Sequence, residues 1–258
     1  MKITALIENT ASREDVTAEH GLSLFIETDK HNILFDMGQS YMFYSNALTL
    51  GIDLTSVDIA VLSHGHYDHG GGLKKFLEIN TNAPVYIHKD AFLPHFNGTE
   101  KYIGLDTELQ DNPRIIFTGN KCIIDDTLSL WDCNDKEMRS PEISHGLTEK
   151  TENGFIVDDF RHEQYLLIEE NGKRVLISGC SHKGIRDITR WFSPDVLIGG
   201  FHFSKLPLDK ELKNAASELA SYPTVFYTCH CTGTEQYEFM HRFMPDLHYL
   251  ACGETICI

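Results

Sequence analysis

The strongest constraint on the fold is a short polar segment that follows directly after an apolar run. Residues 57–64 read VDIAVLSH, a nearly continuous apolar stretch typical of a fully buried strand. Three histidines and one aspartate then fall within six residues, at His64, His66, Asp68 and His69, and three glycines follow. Imidazole nitrogens and carboxylate oxygens are ligands that divalent ions bind at about 2.0–2.2 Å. The segment therefore predicts a metal site at the end of a strand.

The spacing within this segment divides the four side chains into two pairs. His64 and His66 are two residues apart, so in extended backbone both side chains point to the same face. Gly65 between them allows the chain to bend tightly. Asp68 and His69 follow where the chain turns into the next helix. We expect one pair to serve one ion and the second pair another; the alternative, a polar loop with solvated histidines, suits a single histidine better than this full set.

Composition excludes several classes of function. The chain has 258 residues, of which 41% are hydrophobic and 23% charged, as in a globular protein with a sizeable core. Its net charge of −16 argues against binding to nucleic acid or to an anionic membrane surface. The sequence has no apolar stretch of membrane-spanning length and no signal-peptide pattern at its start, which predicts a cytoplasmic protein. The expected partner is a small-molecule substrate. The oligomeric state is left open.

The order of the predicted elements indicates two layers of strands. Strands are predicted at 2–8, 22–28, 32–38, 57–64, 83–89, 114–119, 122–132, 164–170, 174–179, 195–201, 224–230 and 248–258, and helices at 41–51, 71–79, 184–192, 209–220 and 234–243. Both halves open with consecutive strands and continue as alternating strands and helices, a pattern that fits two face-to-face sheets with helices outside. We predict a single domain over 1–258, in which 93–155, the least regular part, is an insertion that walls the pocket.

Three motifs together resemble a known family. The H-x-H-x-D-H pattern after a buried strand resembles the signature of the metallo-β-lactamase superfamily. NILFDMG resembles the early F-D-x-G motif of that superfamily and places Asp36 where it would orient the metal ligands. TCHCTG places His230 at the end of a late strand, where the superfamily has its last ligand. The resemblance implies an α/β (α+β) fold, a four-layer αββα sandwich with the site along one edge between the sheets.

The sequence departs from the superfamily pattern at two ligand positions. The stretch G-H-T-P-G is absent, and LISGCSHKGI stands where a bridging aspartate is expected. Cys180 occupies roughly that position, and a thiolate can bind zinc when a nearby cation lowers its pKa. His182 follows two residues after Cys180. His162 lies just before the strand predicted at 164–170. Cys180, His182 and His162 therefore remain alternatives for completing the site. In a strand, Cys229 and Cys231 would point away from His230 and serve packing.

The stretches SGCSHKGI, IGGFHFSK and CHCTG resemble the subgroup of 7,8-dihydropterin-6-yl-methyl-4-(β-D-ribofuranosyl)aminobenzene 5′-phosphate synthase-like proteins. This implies a hydrolase, or a transferase that displaces pyrophosphate, acting on a small phosphorylated or pterin-like substrate. The cofactors would be two divalent ions, with zinc favoured over iron or manganese, and they would activate a water molecule. Asp68 and His202 would contribute to catalysis. The alternatives are an iron-containing redox protein of the same fold and a non-catalytic metal-binding protein.

Overall fold

The computed structural model describes residues 1–140 and 145–258. The strands in these ranges are β1 (Lys2–Ile7), β2 (Ser23–Glu27), β3 (Asn32–Phe35), β4 (Ile59–Val61), β5 (Val85–His88), β6 (His95–Asn97), β7 (Lys101–Tyr102), β8 (Ile115–Thr118), β9 (Lys121–Ile123), β10 (Leu128–Trp131), β11 (Leu147–Thr151), β12 (Gly154–Val157), β13 (Tyr165–Glu170), β14 (Lys173–Ile177), β15 (Val196–Gly199), β16 (Val225–Thr228), β17 (Leu247–Tyr249) and β18 (Thr255–Cys257). The helices are α1 (Met42–Thr49), α2 (Tyr67–Gly70), α3 (Leu73–Ile79), α4 (Ile185–Phe192), α5 (Lys210–Leu219) and α6 (Thr234–His241). None of these helices has the length and apolar character needed to cross a bilayer.

Two large sheets have mirrored organisation. The first has the order β18-β1-β2-β3-β4-β5-β8, and the second has the order β17-β16-β15-β14-β13-β10-β9. In the first sheet, pairing is parallel from β3 to β8 and antiparallel from β18 to β3. In the second, pairing is parallel from β14 to β17 and antiparallel from β14 to β9. Each sheet therefore joins a meander to a parallel part, where βα units deliver loops to one edge.

The alternation of side chains along the strands produces the four layers. In β4, Ile59 and Val61 face the core between the two sheets, while Ala60 faces the helices outside the first sheet. Phe43 of α1 and Phe76 of α3 pack on that outer face. The helices α4, α5 and α6 pack in the same way on the outer face of the second sheet. The predicted αββα sandwich is confirmed.

A third, smaller sheet comes from the middle of the chain. Its order is β12-β11-β6-β7, so its strands all lie between His95 and Val157. A separate hydrophobic cluster of Ile103, Leu147 and Phe160 contacts Tyr67 of the H-x-H-x-D-H segment. This places much of the 93–155 region beside the site; residues 141–144 of that region lie outside the described part of the chain.

Two predicted strands are wrong in detail. The run at 122–132 forms the hairpin β9–β10, because the Asp125 carboxylate accepts backbone N–H groups of Thr127 and Leu128 and closes a turn. The predicted closing strand at 248–258 is divided between the two sheets, with β17 pairing to β16 and β18 to β1. Gly253, with φ of +86°, lies in the turn between them. The divided end of the chain thereby connects both sheets.

Candidate metal centre

The H-x-H-x-D-H segment forms the loop after β4 and the short helix α2. His66 stands at the N-terminal end of that helix in extended conformation, and Asp68 and His69 lie within the helix. Gly65 is pressed against the neighbouring loop, since a Cβ there would lie 2.1 Å from the carbonyl oxygen of Ala91. Only glycine fits this position, which fixes how the two flanking histidines emerge from the backbone.

The first group of candidate ligands consists of His64, His66 and His182. One ring nitrogen from each lies within 4.8 Å of the others, and all three residues are buried. The Nε2 atom of His64 and both ring nitrogens of His182 have no hydrogen-bond partner within the described chain. His182 follows β14, and its ring stacks on Phe160 with the centroids 4.4 Å apart. Buried nitrogens without partners are costly, and a metal ion would satisfy them.

The second group consists of Asp68, His69 and His230. His69 Nε2 lies 3.3 Å from His230 Nε2, and His230 Nε2 lies 3.3 Å from Asp68 Oδ2. The backbone brings His230 there through a single 3-10 turn after β16, in which His230 has φ of +48°. The structure thus brings His230 to Asp68 and His69, from which it is far apart in the sequence.

Cys180 lies between the two groups. Its Sγ is 3.2 Å from His69 Nε2 and within 4.8 Å of a ring nitrogen of His64. It also lies within 4.8 Å of a ring nitrogen of His230 and of Cys231 Sγ. Burial, reinforced by the neighbouring Cys231, raises the pKa of the Cys180 thiol well above its usual value. A bound cation is what would convert such a thiol to a thiolate ligand. Cys180 therefore occupies a bridging position but depends on metal for its charge.

The packing role predicted for Cys231 is wrong. The prediction assumed that residues 229–231 continue a strand with alternating side chains. The chain instead turns at His230, and Cys231 lines the same cavity as Cys180. A local 3-10 turn, which the sequence does not signal, moves this thiol to the site.

The ring nitrogens that face away from the cluster are held by specific partners in three of the candidate ligands. His64 Nδ1 lies 2.8 Å from Ser63 Oγ, His69 Nδ1 lies 2.6 Å from Asp36 Oδ2, and His230 Nδ1 lies 2.9 Å from Asn9 Oδ1. Each contact leaves Nε2 directed into the cluster. Such partners fix ring orientation and tautomer in metal sites. Asp36 has the position expected of it.

Protonation states also fit a metal site. Burial lowers the pKa values of His64 and His182 well below the usual value and that of His66 to about 4. These imidazoles are therefore neutral at pH 7, with a lone pair available for a cation. Burial also opposes charge on His69, but the carboxylates of Asp36 and Asp68 outweigh it and raise its pKa. The donor atoms of His64, His66 and His182 therefore suit a divalent metal ion.

A cavity of about 300 Å³ opens over these residues. Asp68, His182 and His202 line it, and Lys101 and Lys205 contribute positive charge. The His202 ring contacts that of His182, with centroids 4.3 Å apart. His202 therefore lies on the cavity wall beside a candidate metal ligand. Burial, followed by the effect of neighbouring histidines, lowers the pKa of His202 to about 3.

The geometry removes His162 as a candidate ligand. Its Nδ1 accepts the backbone N–H of Gly65 at 2.9 Å. A neutral imidazole has one lone pair, so the Nε2 of His162 must carry the proton and cannot bind a metal in this orientation. Of the three alternatives for completing the site, Cys180 and His182 remain as candidate ligands, because both lie within reach of the other candidate ligand atoms.

Sequence reasoning missed His20, Asn9 and Ser63. His20 Nε2 lies 3.3 Å from Asp68 Oδ2, and its ring is 4.9 Å from that of His230. Both His20 and Asn9 lie in or beside the long loop between β1 and β2, where no motif marks them. Ser63 could have been noticed because it directly precedes the first histidine of the motif.

The comparisons with known proteins cover nearly the whole chain. The family model described as metallo-beta-lactamase superfamily matches residues 16–222. An uncharacterised protein of Methanocaldococcus jannaschii is 32% identical over 243 residues, covering 90% of this chain and 90% of that protein. The 7,8-dihydropterin-6-methyl-4-(β-D-ribofuranosyl)-aminobenzene-5′-phosphate synthase of the same organism is 29% identical, covering 99% of this chain and 96% of the synthase.

Solved structures show the same architecture. A crystal structure of a metal-dependent hydrolase of the β-lactamase superfamily matches with a TM-score of 0.85 at 28% identity, covering 100% of this chain and 99% of that chain. Zn²⁺-bound PqqB from Methylobacterium extorquens matches with a TM-score of 0.63 at 12% identity, covering 100% of both chains. The second likeness concerns the fold alone.

Proposed function

Because the chain belongs to the metallo-β-lactamase superfamily, we propose that it is a metal-dependent enzyme that binds two divalent ions, with zinc as the favoured ion. The observation that carries the proposal is the presence of two adjacent groups of buried donor atoms with Cys180 in reach of both. The first ion would be held by His64, His66 and His182, and the second by Asp68, His69 and His230.

Divalent ions in such a site lower the pKa of water and offset negative charge on a substrate. The residues of this chain supply orientation and proton transfer. Asp68 Oδ2 lies 3.3 Å from both His20 Nε2 and His230 Nε2, and its side chain is 13% exposed towards the cavity. It is therefore placed to accept a hydrogen bond from a nucleophilic water. His202, also on the cavity wall, is placed to contact the leaving or transferred group.

The proposed substrate is a small phosphorylated or pterin-like molecule. The cavity volume of about 300 Å³ is at the small end of ligand sites in proteins. Lys101 and Lys205 line this cavity although the chain as a whole has a net charge of −16. Local positive charge in an acidic protein favours an anionic substrate group. Either hydrolysis or displacement of pyrophosphate is compatible with these residues, and the similarity to the dihydropterin synthase supports the second.

The test combines metal content with an activity panel. Purified protein should contain about two equivalents of metal, and elemental analysis with EPR separates zinc from iron or manganese. The panel should include phosphomonoesters, phosphodiesters, lactones and a dihydropterin pyrophosphate supplied with an arylamine ribose phosphate. Turnover of one class should disappear in the double variant His64→Ala, His66→Ala. A metal-loaded protein that is inactive across the panel, or a double variant with full metal content, would overturn the proposal.

A further inference from the structure

His66 differs from the other candidate ligand histidines in how its ring is held. The residue is 4% exposed and lines the cavity, yet its Nε2 is completely buried and has no hydrogen-bond partner in the described chain. The ring therefore turns Nδ1 to the cavity and Nε2 into the protein. His64, His69 and His230 do the reverse, since their Nδ1 atoms have partners. A buried N–H on His66 Nε2 needs an acceptor.

A buried histidine–carboxylate pair lies behind His66. His95 of β6 donates its Nδ1–H to Asp158 Oδ2 at 2.7 Å, and both side chains are completely buried. Burial opposes the charge on Asp158, but the neighbouring His162 and His95 rings outweigh it and hold the pKa of this carboxyl well below its usual value. When the Nδ1–H of an imidazole is donated in this way and the ring is neutral, its Nε2 presents a lone pair. The Nε2 of His95 is also buried without a partner.

His162 completes the surroundings of this pair. With its Nδ1 accepting from Gly65, its Nε2 carries the proton and lies 3.5 Å from Asp158 Oδ1 without forming a hydrogen bond. One donor atom from each of His66, His95, Asp158 and His162 lies within 4.8 Å of the others, and the Nε2 atoms of all three histidines have no hydrogen-bond partner within the described chain. Because His162 Nε2 carries a proton, it offers no lone pair to a metal ion, and His95 Nε2 is the acceptor that faces these N–H groups.

We propose that the Asp158–His95 pair accepts the Nε2–H of His66 and thereby fixes the tautomer in which Nδ1 of His66 faces the metal. The rings of His66 and His95 have centroids 5.7 Å apart and planes at 78°. Closure of the remaining gap satisfies both buried nitrogens at once. His95 and Asp158 are thus positioning residues for the first metal position. This inference rests on the proposed role of His66 as a ligand.

The residues of the proposed relay belong to the third sheet or directly follow it. His95 lies in β6, and Asp158 directly follows β12, so the two come from opposite edges of the β12-β11-β6 part of that sheet. The region from 93 to 155 then contributes more than a cavity wall. Through His95, held by the adjoining Asp158, it would orient the His66 side chain of the H-x-H-x-D-H segment.

The first experiment reads the tautomers directly in the metal-free protein. Long-range ¹H–¹⁵N spectra of protein labelled with ¹⁵N-histidine at pH 7 distinguish a proton on Nδ1 from one on Nε2. We expect His66 to carry its proton on Nε2 and His95 on Nδ1. A proton on Nδ1 of His66, or on Nε2 of His95, would overturn the inference. This result does not depend on whether the wild-type protein is an enzyme or binds two ions, so the two proposals fail separately.

The second experiment compares zinc affinity in matched variants by competition with a chromophoric chelator. His95→Phe removes the acceptor and should weaken the first zinc position about 10- to 100-fold while the second is retained. His95→Gln keeps an acceptor oxygen and should recover most of that loss. The control is His88→Phe, because His88 is equally buried and bonded to a carboxylate, Asp132 Oδ2 at 3.1 Å, away from the cluster. Equal zinc affinities in all three variants would contradict the relay.

Discussion

His69 Nδ1 lies 2.6 Å from Asp36 Oδ2, and both side chains are completely inaccessible to solvent. The same carboxylate accepts the backbone N–H and the hydroxyl of Ser63. Asp36 therefore holds His69, a candidate ligand of the proposed second ion, and Ser63, which contacts His64. This contact connects the F-D-x-G segment after β3 to the H-x-H-x-D-H segment after β4.

Asp36→Asn should weaken metal binding at the second position about 10- to 100-fold, because an amide offers one acceptor where the carboxylate satisfies three donors. Chelator competition on the purified variant measures this. Asp187→Asn is the control, since Asp187 is equally buried but accepts from the backbone of Arg139 and from Arg190. Unchanged zinc affinity in Asp36→Asn would show that the carboxylate does not orient His69.

Gly65→Ala should destabilise the fold and displace the first pair of histidines. The new Cβ would meet backbone atoms of Ala91, which cannot rotate away, and overpacking of this kind costs roughly 1–3 kcal/mol. Thermal unfolding together with zinc content measures both effects. Gly119→Ala is the matched control, because the nearest atom to its Cβ is the flexible Lys89 side chain at 3.8 Å. Equal unfolding temperatures for the two variants would contradict the close packing at Gly65.

Cys180→Ser tests the bridging thiolate. Cobalt-substituted wild-type protein should show an intense near-ultraviolet sulfur-to-metal charge-transfer band, and the variant should lose it, because a serine hydroxyl remains protonated and binds weakly. Cys252→Ser is the control, since its thiol donates to the carbonyl oxygen of Leu6. A band that persists in Cys180→Ser would assign the sulfur ligand to Cys231 instead.

A pH-dependent contact connects the two large sheets far from the metal centre. His31, before β3, lies 2.6 Å from Asp125 Oδ2 in the β9–β10 turn and 3.2 Å from Asp58 Oδ2. Burial opposes charge on His31, but the two carboxylates outweigh it and raise its pKa above 6.5. The stabilisation is therefore complete below about pH 6.5, the usual value for histidine, and is lost as the pH rises through the raised pKa.

His31→Gln should consequently lower the unfolding temperature more at pH 5.5 than at pH 9. The free energy involved is at most on the order of 1 kcal/mol for partly exposed ion pairs, which corresponds to a shift of about 2–4 °C or less in a chain of this size. Scanning calorimetry of both proteins at the two pH values measures the difference. A decrease that is independent of pH would show that His31 is neutral in the folded protein.

The superfamily and the four-layer architecture were predictable because their signals are local. A buried strand followed by clustered ligands, and alternating strands and helices, can each be recognised within short windows of sequence. The contacts of the candidate site were predictable only where a motif marked the residue, as for Asp36, His182 and His230. Their roles as ligands remain predictions until metal binding is measured.

The remaining contacts depend on tertiary structure. The approach of His20 to Asp68 requires the β1–β2 loop to fold over the site, and that loop has no regular structure to predict. The position of Cys231 requires the 3-10 turn after β16. The contact between His95 and Asp158 spans 63 residues and exists only once the third sheet is paired. Sequence periodicity does not report such non-local pairing.

The backbone N–H of His230 donates to Glu8 Oε1 at 2.6 Å, across 222 positions of sequence. During synthesis, the chain therefore carries the H-x-H-x-D-H segment long before residues 68, 69 and 230 can come together. They meet only when the C-terminal strands reach the sheet that begins with β1. If these residues bind the second ion as proposed, its uptake would follow completion of the fold, because metal binding is coupled to folding.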